Sequence, residues 1–291
     1  MFGRRDRKLS PMSALDALRH AGLYGRTVAR VAQRGWGESG GDPEVATERA
    51  VFVVGSPRSG TTFLAGAVGA QPGFVDLGEV RPVKASIERW AALPDEEAAG
   101  ELRATVERVR RLGLVRDLRP VEQTPELSFV VAAAARAYPH ATVLHIVRDG
   151  RDVVCSLLEK GWLGDERAGR DDAGLRYGAH ARSWVEPDRR EEFARASEAA
   201  RAAWAWRRYV TAARAAPEQT LELRYEELAA DPPATAERIA DRLETDPAQL
   251  ADALARVHTR SIGRWRRDLT PEEVADVERE AGALLRELGY S

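Results

Sequence analysis

Residues Val51 to Val54 (VFVV) form an unbroken apolar run rich in β-branched side chains and closed by Gly55, which predicts a strand covered on both faces. Thr142 to Val147 (TVLHIV) reads the same way, and Thr220 to Arg224 (TLELR) is a third, less apolar strand. Between and after these strands, Ala/Arg/Glu-rich stretches carry helical periodicity over residues 125–138, 151–160, 190–215, 233–243, 247–257 and 271–288. Strands alternating with helices imply parallel βαβ units. The expected fold class is therefore α/β, a three-layer α/β/α sandwich with ligands at the carboxyl ends of its strands.

Ahead of this pattern, Leu15, Leu18, Leu23, Val28 and Val31 punctuate a basic helix over residues 14–34, which either packs on its own domain or touches a membrane surface peripherally. Residues 36–49 (WGESGGDPEVATER) read as a linker. The expected division is an N-terminal helical extension and linker at 1–50 and a main domain at 51–291. Residues 161–187 are polar and weakly periodic, either a lid or substrate loop or a solvated insertion.

With 291 residues, 44% of them hydrophobic and 31% charged, the chain can bury a substantial core, which excludes disorder as its dominant state. Its formal net charge of −2 excludes a global attraction to nucleic acid or anionic membrane, so any anion must be held by a local cluster. There are 41 arginines and only three lysines, Lys8, Lys84 and Lys160, which makes a lone arginine weak evidence. Cys155 is the single cysteine, so no intrachain disulfide and no cysteine metal cluster can form. A reducing, cytoplasmic setting is expected, and no stretch approaches the ~20 apolar residues of a membrane span.

The richest segment is VFVVGSPRSGTTF, residues 51–63: a strand, Gly55, then Gly60, with Thr61 and Thr62 opening a helix. Glycines let successive N–H groups curl inward, and the helix N-terminus adds partial positive charge, so this geometry cradles a phosphate. The alternative is a tight turn without ligand. The nucleoside-triphosphatase loop requires lysine after its second glycine, where this chain has Thr61. Arg58 lies inside the loop instead, and a guanidinium there can bridge two oxygens of a transferring group.

GSPRSGTT after a buried strand resembles the 5′-phosphosulfate loop of sulfotransferases that use 3′-phosphoadenosine 5′-phosphosulfate (PAPS), a P-loop nucleotide hydrolase-like fold. The resemblance implies that Ser56, Arg58, Ser59, Gly60, Thr61 and Thr62 hold the 5′ end. TVLHIVRDGRDVVCSLLEK, residues 142–160, is similar to the family's 3′-phosphate site, with Arg148 and Ser156 in its positions and Lys160 where some members carry another basic residue. Arg148 at a strand end and Ser156 two turns into the next helix converge only if the segment folds back. LRYEELAADP implies Tyr225 against the adenine, and RSIGRWRRDLTPEE resembles the basic loop closing over the nucleotide, with Ser261 and Arg264 at its polar and basic positions. Trp265 is expected to anchor that loop by burying its ring, and Arg266 and Arg267 to be solvated.

The implied reaction moves a sulfuryl group from PAPS to a hydroxyl of a small molecule, glycan or secondary metabolite and releases adenosine 3′,5′-bisphosphate (PAP). Arg58 would offset charge on the transferring group. No acidic strand end is apparent, so no metal is expected. Glu79, in DLGEVRP, matches the glutamate of tyrosylprotein-type members after a one-residue slip; backed by Leu77 and Val80 it is either a desolvated general base or a surface partner of Arg81 or another arginine. Two departures stand out. Gln123 in VEQTPEL replaces the family's basic residue, and Pro125 stands where phenol and steroid enzymes carry a histidine base. His140 and His145 read as structural, and His180 is a reserve base. The competing readings are a P-loop kinase, against which Thr61 and the Arg148/Ser156 pair argue, and an inactive nucleotide-binding protein.

Overall fold

The computed structural model describes residues 14–38, 40–164 and 184–290, with side chains from residue 22 onward. His180 and most of the 161–187 stretch lie outside the described residues. Five strands, β1 (Val51–Val54), β2 (Phe74–Gly78), β3 (Arg119–Glu122), β4 (Thr142–Val147) and β5 (Thr220–Arg224), form one sheet in the order β2-β3-β1-β4-β5. Every pairing is parallel. The three strands expected from apolar runs have the expected bounds.

The centre of the sheet is covered on both sides, and β1 divides its side chains accordingly. Val51 and Val53 pack with Leu64, Leu144 and Ile239, while Phe52 and Val54 pack with Leu102, Val106 and Tyr138. The first layer contains α3 (Thr61–Gly69), α11 (Pro232–Leu243) and α12 (Pro247–Leu254). Across the sheet lie α4 (Arg81–Trp90), α5 (Asp95–Leu112) and α6 (Val131–Ala137). On that side, beyond β4, α7 (Gly150–Lys160), α9 (Glu198–Ala213) and α14 (Pro271–Glu287) enclose a cluster around Trp184, Trp204, Trp206 and Tyr209.

Two strands fell outside the sequence pattern. β3 reads Arg-Pro-Val-Glu, yet it lies between β2 and β1, with Pro120 opposite Val75. Proline cannot donate to a ladder and is expected at edges. Here the neighbouring Arg119 holds the strand, stacking its guanidinium 4.3 Å from the Phe74 ring and donating to Arg49 O and Leu243 O.

The boundary at residue 50 is not a packing boundary. Helix α1 (Ala14–Arg34) buries Thr27 and Val31 against the main core, with Tyr24 packed beside them, so its described inner face meets its own domain rather than a membrane. The stretch read as a linker contains α2 (Pro43–Glu48), capped by the Asp42 carboxylate and burying Ala46 and Thr47. Among the described residues no helix is long and apolar enough to cross a membrane.

Candidate functional site

The carboxyl end of β1 runs through residues 55–60 into α3. Gly60 caps this helix at φ 101°, and a Cβ there would lie 2.8 Å from the Tyr225 ring, so both the backbone and the space demand glycine. Arg58 also has a left-handed backbone, φ 72°, a strain of about 1–3 kcal/mol for a non-glycine residue that the surrounding loop must offset. Ser59 N–H donates to Ser56 O to close the turn. Ser56, Ser59 and Thr61 are buried, while Arg58 and Thr62 are exposed at the rim. The buried Ser59 hydroxyl has no hydrogen-bond partner among the described residues.

Arg148, at the end of β4, and Ser156, on α7, do converge, and Arg58 joins them. Arg58 Nε donates to Ser156 Oγ at 2.9 Å, and Arg148 Nη1 donates to Arg58 O at 3.4 Å. Arg148 Nη2 donates to Ser261 O at 2.5 Å, and its Nε is buried without a partner among the described residues. The C-terminal loop is drawn in by Asp152, whose carboxylate accepts from Gly263 N–H at 2.7 Å and Trp265 N–H at 3.1 Å. Two arginines and a serine hydroxyl thus share one corner of the cleft.

The Arg58 side chain turns to the Ser156 corner, where its left-handed backbone and the Ser156 hydroxyl direct it. Tyr225 is only 5% exposed; its ring backs Gly60, lies 4.7 Å from the Arg148 guanidinium, and is pinned by its hydroxyl to His258 O at 2.7 Å. It buttresses the loop. Arg264 pairs with Glu159 and Asp268 rather than turning inward. Trp265 is half-buried, with the Arg151 guanidinium 4.0 Å and that of Arg266 4.6 Å from its ring, so cation–π stacking replaces full burial. Lys160 ends α7 one turn past Ser156, 5.7 Å from the Trp162 ring.

Glu79 occupies a second corner, just past β2. The apolar backing from Leu77 and Val80 is present, both fully buried. Its partner is Lys84 of α4, not an arginine: Lys84 Nζ lies 2.9 Å from Glu79 Oε2 and 3.4 Å from the buried Glu126 carboxylate. Gln123 lies between the corners and accepts a hydrogen bond from Thr62 Oγ1 at 3.3 Å.

Sequence reading overlooked Lys84, Glu126 and Glu122. Rarity was the available signal for Lys84, one of three lysines in the chain. Glu122 is the acidic strand end that seemed to be missing, hidden because β3 carried no strand pattern. Its carboxylate accepts from Val80 N–H at 3.3 Å, Thr124 N–H at 3.0 Å and the Thr124 hydroxyl. Burial nevertheless pushes its carboxyl up to about 7.

The remaining titratable groups match the structural reading. His145 is buried in β4 beside Glu222 at 3.2 Å, and burial lowers its pKa. His140 lines a cleft of about 590 Å³ with Thr142, Gln219 and Arg242, at the opposite end of the strands from the loop. Burial pushes the free Cys155 thiol up to about 12, far from a reactive thiolate.

A parallel sheet whose middle strand feeds a glycine loop and helix, with Arg148 at the next strand end meeting Arg58 of that loop, defines a P-loop fold. Within that class, the chain belongs to the sulfotransferase family, whose sequence profile matches residues 50–249. Solved structures share the architecture at low identity. The sulfotransferase domain from the curacin biosynthetic pathway superposes with a TM-score of 0.54 at 12% identity, covering 84% of this chain and 98% of its own. Sulfotransferase STF9 from Mycobacterium avium gives 0.51 at 16%, covering 97% and 88%. Mouse sulfotransferase SULT7A1, crystallised with PAP, gives 0.50 at 15%, covering 96% of both chains. No curated protein sequence matches the chain.

Proposed function

We propose that this sulfotransferase moves a sulfuryl group from PAPS to a hydroxyl of a small molecule, glycan or secondary metabolite by in-line displacement. The observation carrying the proposal is the convergence of Arg58, Arg148 and Ser156 beside a loop with unfilled polar atoms. Ser59 Oγ and Arg148 Nε are buried without partners among the described residues, one in each half of the cleft, where phosphate oxygens at the 5′ and 3′ ends of one nucleotide would satisfy them. The mouse sulfotransferase SULT7A1, a structural neighbour, was crystallised with PAP, which agrees with this donor.

PAPS supplies an activated sulfuryl group on a phosphate leaving group. The protein's part is positioning and charge. Loop N–H groups and the uncapped α3 N-terminus take the 5′ end, with Ser56, Ser59, Gly60, Thr61 and Thr62 shaping the cradle. Arg148 and Ser156 take the 3′-phosphate. Arg58 is tied by a single described side-chain hydrogen bond, so its exposed guanidinium is the loop's available cation for charge on the departing oxygen. Gln123 brings no charge there. Ser261 contributes through its carbonyl on Arg148, and Lys160 and Arg264 lie at the rim.

Glu79 is the proposed general base for the acceptor hydroxyl, 35% exposed in its side chain and oriented by Lys84. No step is assigned to a metal, and the acidic strand end, Glu122, accepts hydrogen bonds from Val80 and Thr124. The free, buried Cys155 accords with a reducing cytoplasm.

A thermal-shift comparison tests the donor: PAP should stabilise the protein and ATP with magnesium should not. The reverse result would favour the kinase reading. Incubation with sulfur-labelled PAPS and a metabolite extract, followed by mass identification of the labelled product, tests transfer and names the acceptor. Stabilisation by PAP with no labelled product from any extract would favour an inactive nucleotide-binding protein.

A further inference from the structure

Helix α1 lies outside the residues matched by the family profile, yet it grips the segment that carries Glu79. Arg30 Nη2 donates to Leu77 O at 2.8 Å and to Glu79 O at 2.7 Å. One turn later, Arg34 Nη1 donates to Asp76 O at 2.9 Å and lies 2.6 Å from the Asp76 carboxylate. The pairing of Arg34 with Asp76 and Arg30 with Leu77 and Glu79 means that α1 runs antiparallel to β2. The fit is close: a Cβ on Gly78 would lie 2.9 Å from Arg30 Cζ.

The same segment is held from the opposite side. Asp76 accepts from Gly78 N–H at 2.6 Å, Gln123 N–H donates to Gly78 O at 3.4 Å, and Val80 N–H donates to Glu122. These bonds fix residues 76–80 against the sheet but leave the Glu79 carbonyl to Arg30. Remove the guanidinium and two carbonyls beside the proposed base lose a charge-assisted donor, so the Glu79 backbone is free to rotate.

We propose that Arg30 is a positioning residue for Glu79, and that α1 is therefore a working part of the sulfuryl-transfer site rather than an appendage. The inference rests on the assignment of Glu79 as base. It concerns orientation at the acceptor side, so donor binding at the Arg148 corner is untouched.

The test follows initial transfer of label from sulfur-labelled PAPS into a metabolite extract. Arg30→Ala should lower kcat about tenfold, the scale of a modest misplacement of a reacting group, while KM for PAPS and stabilisation by PAP stay within twofold. Guanidinium chloride at millimolar concentration should restore part of the lost rate, and sodium chloride should not. Arg30→Gln, similar in length and polar, should show the same split if the alanine variant fails to fold. In a Glu79→Gln background, which retains a residual rate, replacing Arg30 should cost nothing further, because its effect runs through the lost carboxylate. A rate within twofold of wild type for both Arg30 variants, or an equal fold-loss in both backgrounds, overturns the inference. Full activity of Glu79→Gln alone withdraws the base assignment, and is read without any Arg30 variant.

Discussion

The guanidinium of Arg58 rests on the hydroxyl of Ser156, Nε to Oγ at 2.9 Å, across 98 residues of sequence. One residue comes from the loop after β1 and the other from the helix after β4, so this bond forms only when the two βα units lie side by side. Arg148 completes the corner by donating to the backbone of Arg58 and of Ser261. Ser156→Ala should weaken PAP binding by up to about tenfold, the worth of one hydrogen bond to a charged group, and Arg148→Ala by about 100-fold. Isothermal titration with PAP measures both, and an Arg148→Ala variant with native affinity would remove the 3′-phosphate site from this corner.

Gly60 is one of two loop positions, with Gly55, where both backbone and space demand glycine. Gly60→Ala forces a side chain into a left-handed backbone and against the Tyr225 ring. The expected loss is about 1–3 kcal/mol of stability together with loss of PAP stabilisation. Urea unfolding with and without PAP separates the two effects.

Glu122 sets a pH dependence whose sign is opposite to that of an ion-paired carboxylate. Its carboxyl rises from an ordinary 4.5 to about 7 on folding, so between those values the folded state binds more protons than the unfolded chain. Its contribution is fully present below pH 4.5 and is lost as pH rises through 7, a span of about 3 kcal/mol. Relative to wild type, Glu122→Gln should flatten this decline in a series of denaturant melts from pH 5 to 8. An unchanged slope would mean that Glu122 is ionised throughout.

Lys84 joins Glu79 to Glu126, and the Glu126 side chain is only 5% exposed. Lys84→Met leaves that carboxylate buried without its cation, which should cost about 3 kcal/mol, as breaking a buried pair does. Lys84→Met combined with Glu126→Leu should recover most of the loss, and chemical denaturation of the four variants of the cycle gives the coupling directly.

Legibility followed how much of each element was local. β1 and β4 announced themselves because strands buried on both faces must be apolar along their whole length, whereas β5, at the sheet edge with only Leu223 buried, is a less apolar run. β3 did not, because a four-residue strand holding Arg, Pro and Glu is kept in the sheet by Arg119 and its distant acceptors rather than by its own propensity. Losing β3 also concealed Glu122. The glycine loop was readable since its spacing is itself the chemistry, and Arg148 with Ser156 was readable through resemblance. The orientation of Arg58, the buttressing by Tyr225 and the turn of Arg264 toward Glu159 and Asp268 were not.

Composition, periodicity and short spacing by themselves determined the class of fold, the glycine loop after β1 and the absence of an intrachain disulfide, since each depends on residue type and local order. Tertiary structure decided which guanidinium meets which oxygen, that Lys84 rather than an arginine faces Glu79, and that α1 reaches the site. In a chain with 41 arginines, residue type cannot single out Arg30 or Arg58. A hydrogen bond is specified by position to within a few tenths of an ångström, and only the packing of distant elements sets position that finely.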